Sequence, residues 1–202
     1  MFTLNRRNGK SQICITWEQR KLGELASIFG GNAWSSKEYD PSGEYLVITI
    51  ANVNGEYEID DSVGNRINSE SCSEYLLSHG DILISLTGNV GRVSKMTSKK
   101  AVLNQRVGKI TIAGDTDKEF IFQALRSDRF LIAMETAGRG AAQKNISNSD
   151  VLSFELALPK QEEQQLIGRT LYQIDSLITL HQRKQKRLAD CSNYNMLHTQ
   201  NP

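Results

Sequence analysis

Short runs of apolar, β-branched residues recur along the first part of the chain, separated by glycine, asparagine and serine. Runs of this kind are typical of strands, and the residues between them of turns. The pattern predicts strands over 45–50, 81–86, 92–96, 102–112 and 154–158. Thr16 with Gln19 is typical of a capping box, which predicts a short helix that ends before Gly30. Residues 1–15 show no period and are predicted to be an irregular lead-in.

The period changes between Asp117 and Ala137, where apolar residues recur at helical spacing. Ser127-Asp128 is expected to divide this stretch into two helices, and Ser147 with Asp150 to cap a third. Strands mixed with helices in this way indicate an α+β fold. We expect a mixed α/β globular domain over 16–159, with a twisted sheet and flanking helices.

One long helix is predicted after Pro159, over 160–190, and a flexible tail over 191–202. Apolar residues alternate there at spacings of four and three, as in a coiled coil. The spacing holds for Ile167, Leu171, Ile174 and Ile178. Leu177 widens this stripe, and His181 and Leu188 continue it less regularly. A rod of some thirty residues is about 45 Å long. Because it cannot fold back on so short a chain end, it must pack on its own domain or on another long helix.

Composition and charge exclude several classes of protein. The chain has 202 residues, 39% of them hydrophobic and 23% charged, which is ordinary for a globular protein. No run of about eighteen apolar residues is present, so no membrane span is expected. The net charge of +1 does not itself indicate nucleic-acid binding. Any DNA affinity must come from charge clustered on one face, or from a partner that shares the phosphate contacts.

The motifs of common catalytic sites are missing from the sequence. The three cysteines and three histidines are scattered, which argues against a disulfide framework or a metal site and fits a reducing cytoplasm. Amino-methyltransferases need an Asn/Asp-Pro-Pro-aromatic loop, and the sequence contains no Pro-Pro pair. It also contains neither a nucleotide-binding glycine motif nor the G-x-S-x-G motif that surrounds a nucleophilic serine. The stretch 87–91 is glycine-rich but lacks a lysine, so a tight turn between strands is the expected structure. We therefore predict no cofactor and no catalytic residues.

Polar and aromatic side chains in the turns could contact DNA. Arginine and lysine bind guanine edges or phosphates, asparagine and glutamine bind adenine, and aromatic rings can stack or wedge. Each residue alone is more often a solvated charge or a packed loop aromatic, and it is the residues together that suggest DNA contact. The candidates are Trp34, Lys37, Tyr39, Arg92, Lys95, Lys99, Asn104, Gln105, Arg106, Arg139, Gln143, Lys144 and Asn145.

Several segments, in order, resemble the specificity (S) subunit of type I restriction–modification systems. The segments are WEQRKLGEL at 17–25, GDILISLTG at 80–88, LNQRV at 103–107, GAAQKNIS at 140–147 and LPKQEEQ at 158–164. Ile167 and the segment IDSLI at 174–178 follow them. Each piece is short, and their order and spacing over residues 17–190 make the resemblance specific.

The resemblance implies a function in DNA recognition. Members of this family carry target recognition domains that each read one half of a bipartite DNA site, joined by long helices that set the spacer. They are not catalysts themselves. Modification (methyltransferase) subunits methylate adenine with S-adenosylmethionine after flipping the base, and a restriction subunit cleaves. The resemblance thus implies a target recognition domain over 16–159, and a helix over 160–190 for dimerisation, spacing and methyltransferase docking.

The chain departs from this pattern because it holds one recognition domain and one helix where the family has two of each. Two copies could self-associate through antiparallel 161–190 helices and read a palindromic double-stranded site. Alternatively, the chain is a truncated half that needs a different half. A third hypothesis is an adaptor that engages methyltransferase subunits through its helix without reading DNA. A small nuclease or methyltransferase is the enzyme hypothesis, which the missing motifs disfavour.

Overall fold

The computed structural model describes residues 3–7, 10–14, 17–68, 70–139 and 144–198. It begins with an antiparallel hairpin of β1 (Thr3–Arg7) and β2 (Lys10–Cys14), in which Thr3 pairs with Cys14. The prediction of an irregular lead-in over 1–15 is therefore wrong for these ten residues. A two-stranded hairpin is held by backbone pairing, so it can form without the apolar alternation that the sequence lacks.

The helix predicted after Thr16 is also wrong. The chain instead forms β3 (Glu18–Lys21), one 3₁₀ turn at Leu22–Glu24, and β4 (Ala26–Gly30). β3 pairs antiparallel with β12 (Glu155–Leu158), and the buried Leu22 donates its backbone N–H to the carbonyl oxygen of Phe154 at 2.8 Å. A pairing partner from the far end of the domain thus overrides the local helical pattern.

Two four-stranded sheets form the body of the domain. The first has the order β6-β5-β10-β7 and the second β4-β11-β8-β9. The first sheet contains β5 (Tyr45–Ile48), β6 (Arg66–Ile67), β7 (Leu76–Leu77) and β10 (Ala101–Leu103). The second adds β8 (Ile82–Ser85), β9 (Val93–Lys95) and β11 (Val107–Ile112) to β4. The β5–β10 pair is parallel, and the other strand pairs of these two sheets are antiparallel.

The predicted strands at 45–50, 81–86, 92–96 and 154–158 are confirmed with shorter limits. The single strand predicted over 102–112 is wrong, because β10 and β11 belong to different sheets. The polar residues 104–106 turn the chain from one sheet to the other. The Asn104 side-chain oxygen accepts from the Arg106 backbone N–H at 3.3 Å within this turn.

Three short helices cover the second sheet, as the periodicity and capping residues predict. They are α1 (Lys118–Leu125), α2 (Asp128–Ala137) and α3 (Asn148–Leu152). Ser127 caps α2, which confirms the predicted break, and Ser147 forms the predicted capping box with Asp150. Asp117 caps α1 by accepting from the backbone N–H of Phe120 at 2.8 Å.

The buried side chains separate into layers because successive residues of a strand point to opposite faces. Ile82 and Ile84 pack with the helices, while Leu83 packs between the two sheets. The outer face of the first sheet buries Val47 and Val102 in a third cluster. The domain is therefore layered in the order helices, second sheet, first sheet and outer loops. Largely antiparallel sheets with separate helices make this an α+β fold.

One long helix, α4 (Gln161–His198), follows β12 and Pro159. Its 38 residues correspond to a rod of about 57 Å. The predicted long helix is confirmed. It extends beyond residue 190, so the prediction of a flexible tail is wrong for 191–198, and residues 199–202 lie outside the described part. Among the described helices, none is both long and apolar enough to cross a membrane.

Candidate nucleic-acid interface and partner helix

Several strands of both sheets begin or end at one common edge. β8 ends there where β11 begins, because Ser85 pairs with Val107, and β5 and β10 end together where Ile48 pairs with Leu103. The connecting segments therefore meet in space although they are far apart in sequence. We call segments 31–32, 86–91, 104–106 and 144–146 the loop edge.

The turn at 104–106 is fixed by its backbone. Asn104 N–H donates to the Ile48 carbonyl at 3.1 Å, and Gln105 N–H to the Asn32 carbonyl at 3.0 Å. The Arg106 carbonyl accepts from Leu86 N–H at 3.0 Å. The side chains of Gln105 and Arg106 are exposed, and neither has a hydrogen-bond or ion-pair partner among the described residues. A rigid backbone thus presents an amide and a guanidinium to the outside.

Segment 144–146 lies against the end of β8. Gly88 N–H donates to the Lys144 carbonyl at 2.9 Å, and Ile146 N–H to the Leu86 carbonyl at 2.9 Å. The Thr87 hydroxyl donates to the Asn145 side-chain oxygen at 3.0 Å. Lys144 and Asn145 are therefore held, through the end of β8, next to the turn at 104–106. These five predicted residues, Asn104, Gln105, Arg106, Lys144 and Asn145, are brought together.

Trp34 is a core residue, which corrects its assignment to DNA contact. Its side chain is 6% exposed, and its indole N–H donates to the Leu103 carbonyl at 3.1 Å. The ring packs edge-on against Tyr75 at 5.7 Å between centroids. Tyr39 is half-buried against the same cluster. For these two residues the structure supports the packed-aromatic interpretation.

Lys95 is likewise a structural residue. It forms an ion pair with Glu119, and both side chains are mostly buried. Its ammonium lies 4.5 Å from the Phe122 ring centroid and donates to the Tyr57 hydroxyl at 2.9 Å. Burial, and then the Glu119 carboxylate, raise the pKa of Tyr57 far above its ordinary value. Tyr57 therefore stays a neutral donor to Glu119, and Lys95 is not available to a phosphate.

The remaining predicted residues are dispersed. Lys99 pairs with Asp61 at 3.0 Å and precedes β10, at the end opposite to the turn at 104–106. Arg92 donates to the Asn54 carbonyl at 2.9 Å, while its side chain stays exposed. Lys37 lies exposed in a 3₁₀ turn, and Arg139 is exposed after α2. Gln143 lies outside the described residues.

The apolar stripe of α4 is largely uncovered. We call Ile167, Leu171, Ile174, Leu177, Ile178 and His181 the seam. Ile167 packs partly on the domain core, but Leu171, Ile174, Leu177 and Ile178 are exposed large hydrophobic residues. His181 is exposed and shares a hydrogen bond with Gln185 at 2.9 Å. Leu188 belongs to α4, and its side chain lies outside the described part.

A different face of α4 packs against the domain. We call Gln164, Gly168, Tyr172 and Asp175 the docking face. Gln164 and Asp175 form hydrogen bonds with the domain, Gly168 lies against α1, and Tyr172 contacts the Tyr57 ring. Each residue advances around the helix axis by about 100°. Adding these steps along the chain places the mean direction of the docking face about 100° around the helix from the mean direction of the seam. The helix consequently packs on its own domain with this face and with Ile167, and leaves the seam beyond Ile167 largely exposed.

Residues 15–189 match the family model described as the type I restriction modification DNA specificity domain. The chain belongs to this family. The resemblance found in the sequence motifs is thereby confirmed.

Relatives and solved structures of this family agree with the fold. The chain is 27% identical over 187 residues to the type I restriction enzyme MjaVIII specificity subunit of Methanocaldococcus jannaschii, covering 88% of this chain and 44% of that protein. The S subunit from M. genitalium aligns with a TM-score of 0.62 at 21% identity, over 87% of this chain and 42% of that one. The HsdS subunit from Thermoanaerobacter tengcongensis aligns with a TM-score of 0.61 at 19% identity, over 88% of this chain and 42% of that one. The chain thus spans less than half the length of these specificity subunits.

Some residues of this specificity domain's candidate sites were missed by the sequence analysis. Asn32 and Thr87 belong to the loop edge, and their only signal was a polar residue beside a glycine. Gln164, Gly168 and Asp175 dock α4, and the lone glycine of the long helix was the available signal. Among the described residues, no group of three or more His, Cys, Asp or Glu side chains could hold a metal ion.

Proposed function

We propose that the chain is a half-length, sequence-specific DNA-binding specificity subunit whose loop edge reads one half of a bipartite site. The observation that carries the proposal is the exposed group of Gln105, Arg106, Lys144 and Asn145 at one edge. Arginine can bind guanine through two hydrogen bonds, glutamine and asparagine can bind adenine in the same way, and lysine can hold phosphate. The family membership and the relatives named as specificity subunits support the same function.

The chemistry is assigned to partners. The chain itself is proposed to be non-catalytic, to bind double-stranded DNA, and to direct modification subunits that methylate adenine and a restriction subunit that cleaves. The net charge of +1 suits such a division, since partners would supply many of the phosphate contacts.

Self-association through 161–190 would restore two recognition domains. The exposed seam offers an apolar surface suited to a second long helix. Glu162 and Glu163 lie at the start of the helix, and Arg183, Lys184, Lys186 and Arg187 lie further along it. Antiparallel pairing would bring the acidic end of one helix near the basic end of the other. The two-fold complex would read a palindromic bipartite site.

An experiment on the loop edge tests the reading function. The probe is the duplex identified by mapping methylated adenines in a host that expresses the chain with its modification subunit. Arg106→Glu and Lys144→Glu should each weaken binding about ten- to a hundred-fold, since a specific contact contributes about 1–3 kcal/mol. Lys99→Glu is the matched control, because it makes the same charge reversal at the opposite end of β10. The affinity of this variant for the duplex should stay near that of the unmodified chain.

The outcomes separate the hypotheses. Unchanged affinity in both loop-edge variants would reject the loop edge as the reader. A folded chain that binds the modification subunit and retains no specific DNA at moderate salt would favour the alternative, an adaptor that only engages methyltransferase subunits through its helix. Methyl transfer or cutting by the purified chain alone would support the enzyme hypothesis.

A further inference from the structure

The first part of α4 contacts the globular domain (17–159) at several residues, and two groups of these contacts, around Gly168 and at Asp175, carry the argument. In the first group, Gln164 is 4% exposed, accepts from Asp117 N–H at 3.0 Å and donates to the Pro159 carbonyl at 2.8 Å. Gly168 lies against the start of α1. A Cβ at this position would be 2.7 Å from the Asp117 side-chain oxygen and 2.8 Å from the Phe120 nitrogen. The close approach of the two helices therefore needs glycine.

The second group, which we call the clamp, is the ion pair of Arg126 with Asp175 together with Gln123, which is hydrogen-bonded to the same carboxylate. One Asp175 carboxylate oxygen accepts from Arg126 at 2.6 Å and from Gln123 at 2.7 Å. Arg126 and Asp175 have side chains only 18% and 20% exposed. The guanidinium also lies over the Phe122 ring, 5.3 Å from its centroid. The clamp is thus a packed, charge-assisted contact rather than a solvated surface pair.

Two attachments on one helix fix its direction as well as its position. Asp175 is seven residues beyond Gly168, which is about 10 Å along the helix axis. With the clamp released, the contact between the Tyr172 and Tyr57 rings, 5.6 Å between centroids, is what remains beyond Gly168, and α4 could swing about the Gly168 contact. A swing of about 10° moves a point 30 Å away, roughly the breadth of a domain of this size, by about 5 Å. That displacement exceeds the rise of about 3.4 Å per base pair along DNA.

We propose that the clamp and Gly168 set the angle between α4 and the recognition domain, and thereby the number of base pairs between the two half-sites. The proposal rests on the proposed function, in which α4 joins two DNA-reading domains. Gln123, Arg126 and Asp175 act as positioning residues, because they bind one another rather than DNA. Loosening them should alter the spacing while the sequence of each half-site stays the same.

The test is selection from a randomised duplex DNA library by the full chain with its modification subunit. The unmodified chain should recover two half-sites at one spacing. Asp175→Ala should recover the same half-sites spread over two or more spacings, and Asp175→Asn, which keeps an acceptor oxygen, should spread them less. Gly168→Ala should shift the spacing by pushing α4 from α1. Ser176→Ala is the control, because the hydroxyl of this neighbouring residue bonds within α4 to the Tyr172 carbonyl at 2.9 Å.

Recovery of the unmodified chain's single spacing by both Asp175→Ala and Gly168→Ala would overturn the proposal. Loss of the half-site sequences themselves would also overturn it, because the clamp would then support only the fold of the domain. A second readout is the distance between nitroxide labels on noncanonical residues at Lys37 and Lys184, in chain diluted with unlabelled copies. Asp175→Ala should broaden this distance distribution, and an unchanged distribution rejects the clamp.

The two proposals can fail separately. If the unmodified chain selects no duplex while the label distances respond to Asp175→Ala, the DNA-reading function fails and the clamp's control of the angle stands. If the chain selects DNA at one spacing in every variant, the function stands and the control of spacing fails.

Discussion

The uncovered seam of α4 predicts a large effect of two substitutions on assembly. Ile174 and Ile178 are 47% and 50% exposed in the single chain. Full burial of an isoleucine contributes about 1.5–3 kcal/mol, so covering the exposed half of each contributes about 1 kcal/mol. A two-fold dimer contains four such side chains. Replacing both isoleucines with serine should therefore weaken the dimer by about 4 kcal/mol, or roughly a thousand-fold in Kd.

Sedimentation velocity over a range of concentrations measures this Kd directly. Ile132→Ser is the matched control, since Ile132 is 61% exposed on α2 and lies outside the seam. The control should keep the Kd of the unmodified chain, and the double variant should keep its helical circular dichroism. A double variant that dimerises as tightly as the unmodified chain would refute the reasoning. So would an unmodified chain that stays monomeric at every concentration.

Two further predictions concern the residues that support the domain. Lys95→Ala leaves the mostly buried Glu119 carboxylate with hydrogen bonds from Tyr57 and Gln123 but without its cation, so urea unfolding should show a loss of about 2–4 kcal/mol in the free energy of unfolding. The DNA affinity of the folded chain should stay the same, and reduced affinity at unchanged stability would return Lys95 to the DNA contacts. Ser147→Ala should cost about 1 kcal/mol at pH 7, because Ser147 caps α3 and its hydroxyl donates to the Asp150 carboxylate at 2.6 Å. Hydrogen bonds from the Ser147 side chain and then its backbone hold the pKa of Asp150 below its ordinary 3.8. The carboxylate's contribution to the free energy of unfolding is therefore present above pH 3.8 and is lost as the pH falls through the lowered pKa of Asp150. The difference in free energy of unfolding between Ser147→Ala and the unmodified chain should consequently narrow in acid. A difference that stays constant between pH 7 and pH 3 would show that the carboxylate is not involved.

The sequence determined the elements whose signals are local. The apolar runs predicted β5, β8 and β9, and the capping residues Ser127 and Ser147 marked where helices begin. The spacing of apolar residues after Pro159 predicted a long helix with one apolar stripe. Each of these signals depends on neighbouring residues alone, as propensity, capping and periodicity do.

Only the tertiary structure decided which distant segments meet. The partner of β3 is β12, and this pairing replaced a locally plausible helix with a strand. Arg106 is exposed at the loop edge and Lys95 is buried beside Glu119, although the sequence shows both as basic residues near turns. A side chain's partners across the fold set its burial and its free hydrogen bonds, and no local pattern encodes them. The periodicity therefore revealed that α4 has an apolar seam, whereas the fold decided that the docking face would contact the domain and leave the seam beyond Ile167 exposed.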